Sequence, residues 1–148
     1  MSESIIGKNL ANLTFINQNG DAISIGSHSG KKMILWWFPK ADTPGWTIEG
    51  KGFRDRIQEF TSRDTIIFGI SGDPSEDNKY FKEKFSFPFD ILSDHELKET
   101  KILNLCSSTD SYAPRVSLIL DADSNVIKYF DTVDPKTHAE DVLAFIDT

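Results

Sequence analysis

Two uninterrupted apolar runs mark the centre of a predicted sheet. Residues 33–38 read Met-Ile-Leu-Trp-Trp-Phe and residues 65–70 read Thr-Ile-Ile-Phe-Gly-Ile, and each run has the length of a strand. Strands that are apolar on both faces are usually covered on both sides. Between the two runs, three apolar residues recur at helical spacing: Phe53, Ile57 and Phe60. This spacing predicts a helix over about 47–62, and the strand–helix–strand order predicts parallel pairing.

A hairpin is predicted on each side of this central unit. Near the start, residues 13–18 and 22–25 flank an Asn-Gly turn, and Asn-Gly accepts the positive φ angles that a tight turn requires. Near the end, residues 116–121 and 126–130 flank a short polar turn. The second hairpin is expected to be antiparallel.

Polar residues indicate where two further helices begin. Asp73 or Ser75 is expected to start a helix that carries aromatic residues at 80–85 in a charged background. Asp94 is expected to cap a third helix over 95–105. Both helices mix charges of either sign, which is typical of solvated faces.

The remaining elements complete an α/β chain. Residues 89–92 predict a short strand, and Thr137-x-x-Glu140 is a capping-box pattern ahead of a terminal helix with apolar residues at 142–146. The order predicts a central mixed β-sheet flanked by helices, with an N-terminal β-hairpin. This arrangement is compatible with a thioredoxin-like fold. No repeat or linker divides the chain, so residues 1–148 are expected to form a single domain.

Composition excludes several classes of function. The formal charge is -7 and no basic cluster is present, so neither nucleic acid nor an anionic membrane is expected as a partner. The chain has no apolar stretch of transmembrane length and no signal-peptide pattern at its start, so we expect a cytoplasmic protein. Cys106 is the only cysteine, which excludes an internal disulfide or a Cys-x-x-Cys pair.

Residues 38–55 carry a specific resemblance: they read Phe-Pro-Lys-Ala-Asp-Thr-Pro-Gly-Trp-Thr-Ile-Glu-Gly-Lys-Gly-Phe-Arg-Asp. The segment resembles the active-site loop of peroxiredoxins of the bacterioferritin-comigratory, or PrxQ, type, which contains Pro-x-x-x-Thr-x-x-Cys. The residues that fall in place are Pro39, Thr43, Pro44, Gly45, Thr47, Phe53, Arg54 and Asp55. Arg115, six residues before Asp121, and the segment 137–140 extend the resemblance over most of the chain.

The resemblance implies a site that has lost its nucleophile. In the family, a cysteine in the first turn of a helix is favoured as thiolate by the helix dipole. Residues matching Thr43 and Arg115 hold the peroxide oxygens, and a residue matching Pro39 shields the thiol from water. Here Trp46 occupies the cysteine position. Gly50 occupies the position of the resolving cysteine found in many members.

The leading hypothesis is therefore a peroxiredoxin-like protein without thiol peroxidase activity. We expect it to be retained for regulation or binding, with a protein partner or a small anionic ligand, as a monomer or a homodimer. The alternative is a residual or divergent peroxidase that uses Cys106 or the pocket of Thr43 and Arg115. No cofactor is predicted, and the spacing of His28, His95 and His138 does not suggest a metal site.

Several of these residues also have purely structural interpretations. Arg115 can be a surface arginine, and Thr43 can be a turn residue beside Pro44 and Gly45. Cys106 follows the predicted third helix, where the carboxyl end of the dipole disfavours a thiolate, so a structural role is favoured. Three tryptophans lie near one strand end: Trp36, Trp37 and Trp46. Since adjacent strand residues point to opposite faces, the neighbouring pair cannot both face one pocket.

Overall fold

A seven-stranded mixed sheet forms the centre of the computed structural model, which describes residues 5–28, 30–40 and 44–147, with the backbone alone at 44–46. The strands are β1 (Thr14–Ile16), β2 (Ala22–Ser24), β3 (Lys32–Trp37), β4 (Thr65–Ser71), β5 (Asp90–Ser93), β6 (Ser117–Leu120) and β7 (Val126–Phe130). Their spatial order is β2-β1-β5-β4-β3-β6-β7. β3, β4 and β5 are parallel, and the other neighbours are antiparallel.

The strands predicted from apolar runs and turns are confirmed. β3 and β4 pair in parallel, with Ile34 opposite Ile67. The N-terminal hairpin is β1 and β2, which join the main sheet because Ile16 of β1 pairs with Ser93 of β5. The later hairpin is β6 and β7. At the outer edge of β7, the backbone of residues 7–8 exchanges hydrogen bonds with Val126.

The described helices are α1 (Pro44–Asp55), α2 (Ile57–Thr61), α3 (Ser75–Phe85), α4 (Lys98–Ile102) and α5 (His138–Ile146). α1 begins at a proline, which suits the first turn of a helix because the missing N–H has no intrahelical partner there. Within the described ranges, none of these helices has the length and apolar character that crossing a bilayer requires.

The prediction of a single helix over 47–62 is wrong, because the helix is interrupted at Arg56. This residue has φ -113° and ψ 16°, so α1 and α2 are separate. Gly50 and Gly52 lower the helix propensity of the segment before the break. The Arg56 guanidinium donates to the Gly52 carbonyl at 3.3 Å and to Glu140 Oε1 on α5 at 2.6 Å. Long-range packing against α5 therefore accompanies the break.

The third predicted helix is also divided. A short 3-10 turn at 95–97 precedes α4, and Glu96 and Leu97 both have positive φ, 55° and 57°. The Asp94 carboxylate accepts the backbone N–H groups of Glu99 at 3.0 Å and Thr100 at 2.7 Å. Asp94 is thus the N-cap residue of the 3-10 turn that begins at His95, whereas its carboxylate accepts N–H groups in the first turn of α4, whose N-cap residue is Leu97. α4 ends at Ile102, before the predicted end of 105.

Two other helices begin where the sequence predicts, but without side-chain capping bonds. α3 begins at Ser75, one of the two predicted starts, and its N-cap is Pro74, which makes no side-chain capping hydrogen bond. The N-cap of α5 is Thr137, but its hydroxyl bonds Asp141 Oδ2 at 3.2 Å and makes no capping bond to the backbone. The predicted capping box at 137–140 is therefore absent.

The core consists of two clusters, one on each face of the sheet. The Trp37 cluster includes Met33, Leu35, Trp37, Phe68, Ile70, Leu118 and Leu120. The Trp36 cluster includes Ile34, Trp36, Phe38, Phe53, Phe60, Ile119 and Val142, so it lies under α1, α2 and α5. Alternate residues of β3 enter opposite clusters, as the strand period requires. Trp36 and Trp37 are both fully buried and, as predicted, face opposite sides.

Candidate active site

A buried carboxyl group lies at the centre of the candidate site. Glu49, in the second turn of α1, is only 1% exposed. It precedes Phe53 by four residues, which places the two side chains on the same, inward face of the helix. Oε1 of Glu49 accepts a hydrogen bond from Nη1 of Arg115 at 3.0 Å. A buried carboxyl therefore meets a cation from the segment that leads into β6.

Arg115 combines a buried contact with access to solvent. The Arg115 side chain is 24% exposed to solvent, whereas the Glu49 side chain is 0% exposed. The next residue, Val116, is fixed to the sheet because its carbonyl accepts the Trp37 N–H at 2.8 Å. Among the residues that the structure describes, Glu49 is the one side chain that accepts a hydrogen bond from Arg115. The guanidinium thus has further donors for a ligand, because an arginine carries five N–H groups.

His138 and Ser117 complete the buried group. His138 is the first residue of α5 and is 1% exposed, and its Nε2 lies 2.7 Å from the Ser117 hydroxyl. The same nitrogen lies 4.0 Å from Glu49 Oε2. Phe53 and Phe130 enclose the imidazole edge-to-face, with ring centroids 5.7 Å and 5.0 Å away. We call Glu49, Arg115, Ser117 and His138 the Arg115 site.

Burial suppresses two of the charges in this site. Loss of solvation raises the pKa of Glu49 from 4.5 to about 8, against the opposing attraction and hydrogen bond of Arg115. Loss of solvation also lowers the pKa of His138 from 6.5 to about 4, with a smaller opposing effect of Asp141. Around neutral pH both groups are therefore uncharged, and their 4.0 Å approach is not an ion pair. Arg115 supplies the positive charge of the site.

One oxygen of Glu49 is unusual. Oε2 is buried and has no hydrogen-bond partner within residues 5–28, 30–40 and 44–147. A buried carboxylate oxygen without a donor is costly, because the lost hydration is not replaced. The neutral acid is less costly to bury, and this geometry agrees with the raised pKa of Glu49.

Comparison with known proteins shows the family. Residues 6–140 match the profile of the AhpC/TSA family. The chain belongs to the AhpC/TSA family. It is 29% identical over 144 residues to peroxiredoxin Bcp of Bacillus subtilis, covering 93% of this chain and 92% of that protein. It is 31% identical over 135 residues to the chloroplastic peroxiredoxin Q of Suaeda salsa, covering 90% of this chain and 63% of that protein.

Solved structures confirm the thioredoxin-like peroxiredoxin fold. A PrxQ mutant from Xylella fastidiosa superimposes with a TM-score of 0.87 at 20% identity, over 96% of this chain and 94% of that one. Peroxidoxin BcpB from Mycobacterium tuberculosis gives a TM-score of 0.87 at 25% identity, over 96% of both chains. With the sequence relatives, these similarities confirm that this protein is a PrxQ/Bcp-type member of the AhpC/TSA family.

Within this peroxiredoxin, the motif residues lie around the start of α1. Pro39 is half-buried and follows the last residue fixed to β4, since the Phe38 N–H bonds the Ile70 carbonyl at 3.0 Å. Thr43 lies outside the described residues, as do the side chains of the three residues that begin α1, namely Pro44, Gly45 and Trp46. The backbone of Trp46 belongs to the first turn of α1, and Thr47 after it is half-buried.

Gly50, for which the motif predicts the resolving position, is packed too closely to carry a side chain without rearrangement. It is buried in α1, and a Cβ added there would lie 2.7 Å from Cζ and 3.1 Å from Cε1 of Phe87. Phe87 is itself buried and stacks on Phe89, with ring centroids 5.3 Å apart. The space that a cysteine side chain would need is therefore occupied by an aromatic ring.

Cys106 packs on a different face of the sheet from Glu49 of the Arg115 site. It is half-buried and packs against the Trp37 cluster, whereas Glu49 shares the inward face of α1 with Phe53 of the Trp36 cluster. Burial and the nearby Asp110 carboxylate raise the pKa of the Cys106 thiol. The only cysteine is thus a protonated thiol on the opposite face of the sheet.

The motif indicates a role for Arg115, whereas it does not identify Glu49 and His138 as parts of the same site. Glu49 did leave a signal, because an acidic residue four positions before Phe53 falls on the apolar stripe of the predicted helix. His138 had no local signal beyond its place at the start of the last helix. The structure brings these residues together through the packing of α1 against α5. Among the described residues, no cluster of three or more His, Cys, Asp or Glu could hold a metal ion.

Proposed function

We propose that this PrxQ-type protein does not reduce peroxides through a cysteine thiolate and instead binds a small anion at the Arg115 site. One observation carries the first part: Trp46 occupies the position of the peroxidatic cysteine in the motif. An indole has no ionisable group near neutral pH and donates only one hydrogen bond. It cannot attack a peroxide oxygen as a thiolate does.

The remaining thiol is a poor substitute. Peroxide reduction needs a thiolate close to groups that stabilise the departing oxygen. Cys106 has a raised pKa and packs on the face of the sheet opposite the Arg115 site. Its location and its protonation state both oppose the alternative of a peroxidase that uses Cys106.

The electrostatics of the Arg115 site support anion binding. Arg115 is partly exposed and contacts a carboxyl group that is neutral around pH 7, so its charge is not cancelled. α1 begins at Pro44, five residues before Glu49, which is roughly 7.5 Å along the helix axis, and the N–H groups in the first turn of an α-helix have no acceptor within the helix. Guanidinium groups and helix N-termini both favour carboxylate or phosphate ligands.

Peroxide consumption by the purified, fully reduced protein tests the first part. We expect no turnover of hydrogen peroxide by the natural protein or by Cys106→Ser. We expect Trp46→Cys to consume peroxide in the presence of an added thiol reductant, because this variant places a thiol in the first turn of α1. Turnover by the natural protein that is lost in Cys106→Ser would refute the proposal and establish the cysteine-based alternative.

Calorimetric titration with acetate tests the second part. Arg115→Met should abolish binding, because it removes the charge and retains an apolar stem of similar length. Arg63→Met is the matched control, since Arg63 pairs with Asp147 and takes no part in the Arg115 site. Equal acetate binding by Arg115→Met and Arg63→Met would show that Arg115 is not the anion-binding group.

A further inference from the structure

We infer that Glu49 acts as a proton-linked gate of the Arg115 site: an anion binds Arg115 when Glu49 is neutral, and binding at alkaline pH draws a proton onto Glu49. This inference rests on the proposed anion-binding function. It makes Glu49 a positioning residue that acts through Arg115 and does not itself contact the ligand.

The geometry places Glu49 in competition with any external anion. Oε1 already occupies one donor of Arg115, at 3.0 Å. When Glu49 is ionised, its negative charge balances the positive charge of Arg115. An incoming anion is then repelled by the buried Glu49 carboxylate beside the guanidinium. When Glu49 is protonated, Oε1 still accepts the Nη1 hydrogen bond as a neutral oxygen. The full charge of Arg115 is then available to the ligand.

The second carboxyl oxygen favours the neutral state of Glu49. Oε2 of Glu49 is buried without a hydrogen-bond partner in the described part of the chain. A carboxylate would leave negative charge on this buried oxygen without a donor, and protonation of Glu49 removes that charge, which lowers the cost of burial. The pKa of Glu49, raised by burial to about 8, is in agreement with this arrangement.

The groups that face Glu49 do not offer a second compensating charge. From α5, His138 approaches Oε2 at 4.0 Å but is neutral, because burial lowers its pKa to about 4. From β6, Ser117 bonds His138 at 2.7 Å. The acidic residues of α5 are directed to other partners, Glu140 to Arg56 and Asp141 to Thr137. Among the described residues, Arg115 is therefore the charge that favours the ionised form of Glu49, and the effect of burial outweighs it.

The energetic consequence is a pH-dependent affinity. An anion on Arg115 repels the Glu49 carboxylate, so ligand binding and proton binding strengthen each other, and such coupling is reciprocal. Below the pKa of Glu49, about 8, the affinity should be nearly constant. Above this pH, the affinity for the anion should fall by up to about tenfold per pH unit, because the fraction of protein with neutral Glu49 decreases by about that factor.

The test is a titration with acetate at constant ionic strength, from about pH 6 to about pH 10. Acetate keeps its negative charge over this range, because its pKa is near that of a glutamate side chain. Natural protein, Glu49→Gln and the exposed-site control Glu59→Gln are compared. Glu49→Gln keeps a neutral acceptor for Arg115 and should bind acetate with no fall at alkaline pH. Glu59→Gln should lose affinity above about pH 8 as the natural protein does. Proton uptake, measured in buffers of different ionisation enthalpy, should rise from near zero below that pH towards one proton per acetate above it.

Each outcome decides a different question. Acetate binding that is constant with pH and takes up no proton would overturn the proton gate and leave anion binding intact. No acetate binding by the natural protein at any pH would instead refute the anion-binding function, and the gate with it. If Glu49→Gln does not fold, proton uptake by the natural protein alone still decides the inference, because it requires no variant.

Discussion

Replacing Gly50 by alanine should destabilise the protein, although alanine is the better helix former. The new Cβ would meet Phe87 Cζ at 2.7 Å, well inside van der Waals contact. Phe87 cannot move away easily, because it is buried and packs against Phe85 and Phe89 at ring-centroid distances of 5.7 Å and 5.3 Å. The aromatic stack must therefore shift as a unit.

Two opposing contributions set the size of the effect. Exchanging glycine for alanine inside a helix gains about 1 kcal/mol, and adding a methyl group to a tightly packed core costs about 1–3 kcal/mol. Overpacking should win at Gly50, with a net loss of about 1 kcal/mol. Gly52 is the matched control, because its added Cβ would meet Ala139 Cβ at 3.5 Å, an ordinary contact. Gly52→Ala should keep most of the helical gain.

Urea unfolding of both variants measures the difference. Gly50→Ala should be roughly 2 kcal/mol less stable than Gly52→Ala, which corresponds to a melting temperature lower by about 4–8 °C in a chain of this size. Replacing the ring by a smaller side chain with Phe87→Leu should be more favourable in the Gly50→Ala background than in the protein that keeps Gly50. Equal stability of the two alanine variants would show that Phe87 yields without cost, and that the resolving position is free to carry a side chain.

Three further predictions concern other parts of the protein. The pKa of Glu49 is raised from 4.5 to about 8 on folding, so its contribution to stability is complete below pH 4.5 and is lost as the pH rises through about 8. The free energy of unfolding of the natural protein should therefore fall over this pH interval relative to that of Glu49→Gln. Parallel pH profiles of the two proteins would contradict this prediction. Asp94→Ala should cost about 2–3 kcal/mol in urea unfolding, because Asp94 accepts three hydrogen bonds from Glu99 and Thr100; unchanged stability would contradict its capping role. Cys106, with its raised pKa, should react with iodoacetamide more slowly in the folded protein than after denaturation, and equal rates would count against a buried, protonated thiol.

The sequence predicted the strands well because their signal is local. The run at 33–38 is apolar at every position and the run at 65–70 carries no charged residue and only Thr65 as a polar side chain, so burial on both faces is encoded within each segment. The break at Arg56 could not be predicted in the same way. Its guanidinium bonds Glu140, which lies 84 residues later, so the partner is specified by the packing of α5 and not by neighbouring residues.

In the candidate site, too, the features encoded by local sequence could be predicted, whereas those that depend on tertiary packing could not. The absence of cysteine at Trp46 and Gly50 is read directly from the sequence, whereas its interpretation as the loss of the two thiols of the motif stays a prediction. The ionisation of Glu49 could not be predicted, since it depends on burial beneath α5 and on a contact with a residue 66 positions away. A helical pattern places Glu49 on the inward face, but only the assembled layers show that one of its oxygens has no donor among the described residues.

The two edges of the sheet bear on how this protein behaves when concentrated. Exposed strand edges are templates for intermolecular pairing, and proteins resist this with short edge strands, lysines or covering segments. β2 has only three residues. On β7, residues 7–8 cover Val126 through backbone hydrogen bonds, and Lys128 places a cation above Phe130 at 5.2 Å. Native molecules are therefore expected to resist edge-to-edge pairing at these positions, and detachment of residues 7–8 from β7 would expose the backbone of Val126 to a neighbouring molecule.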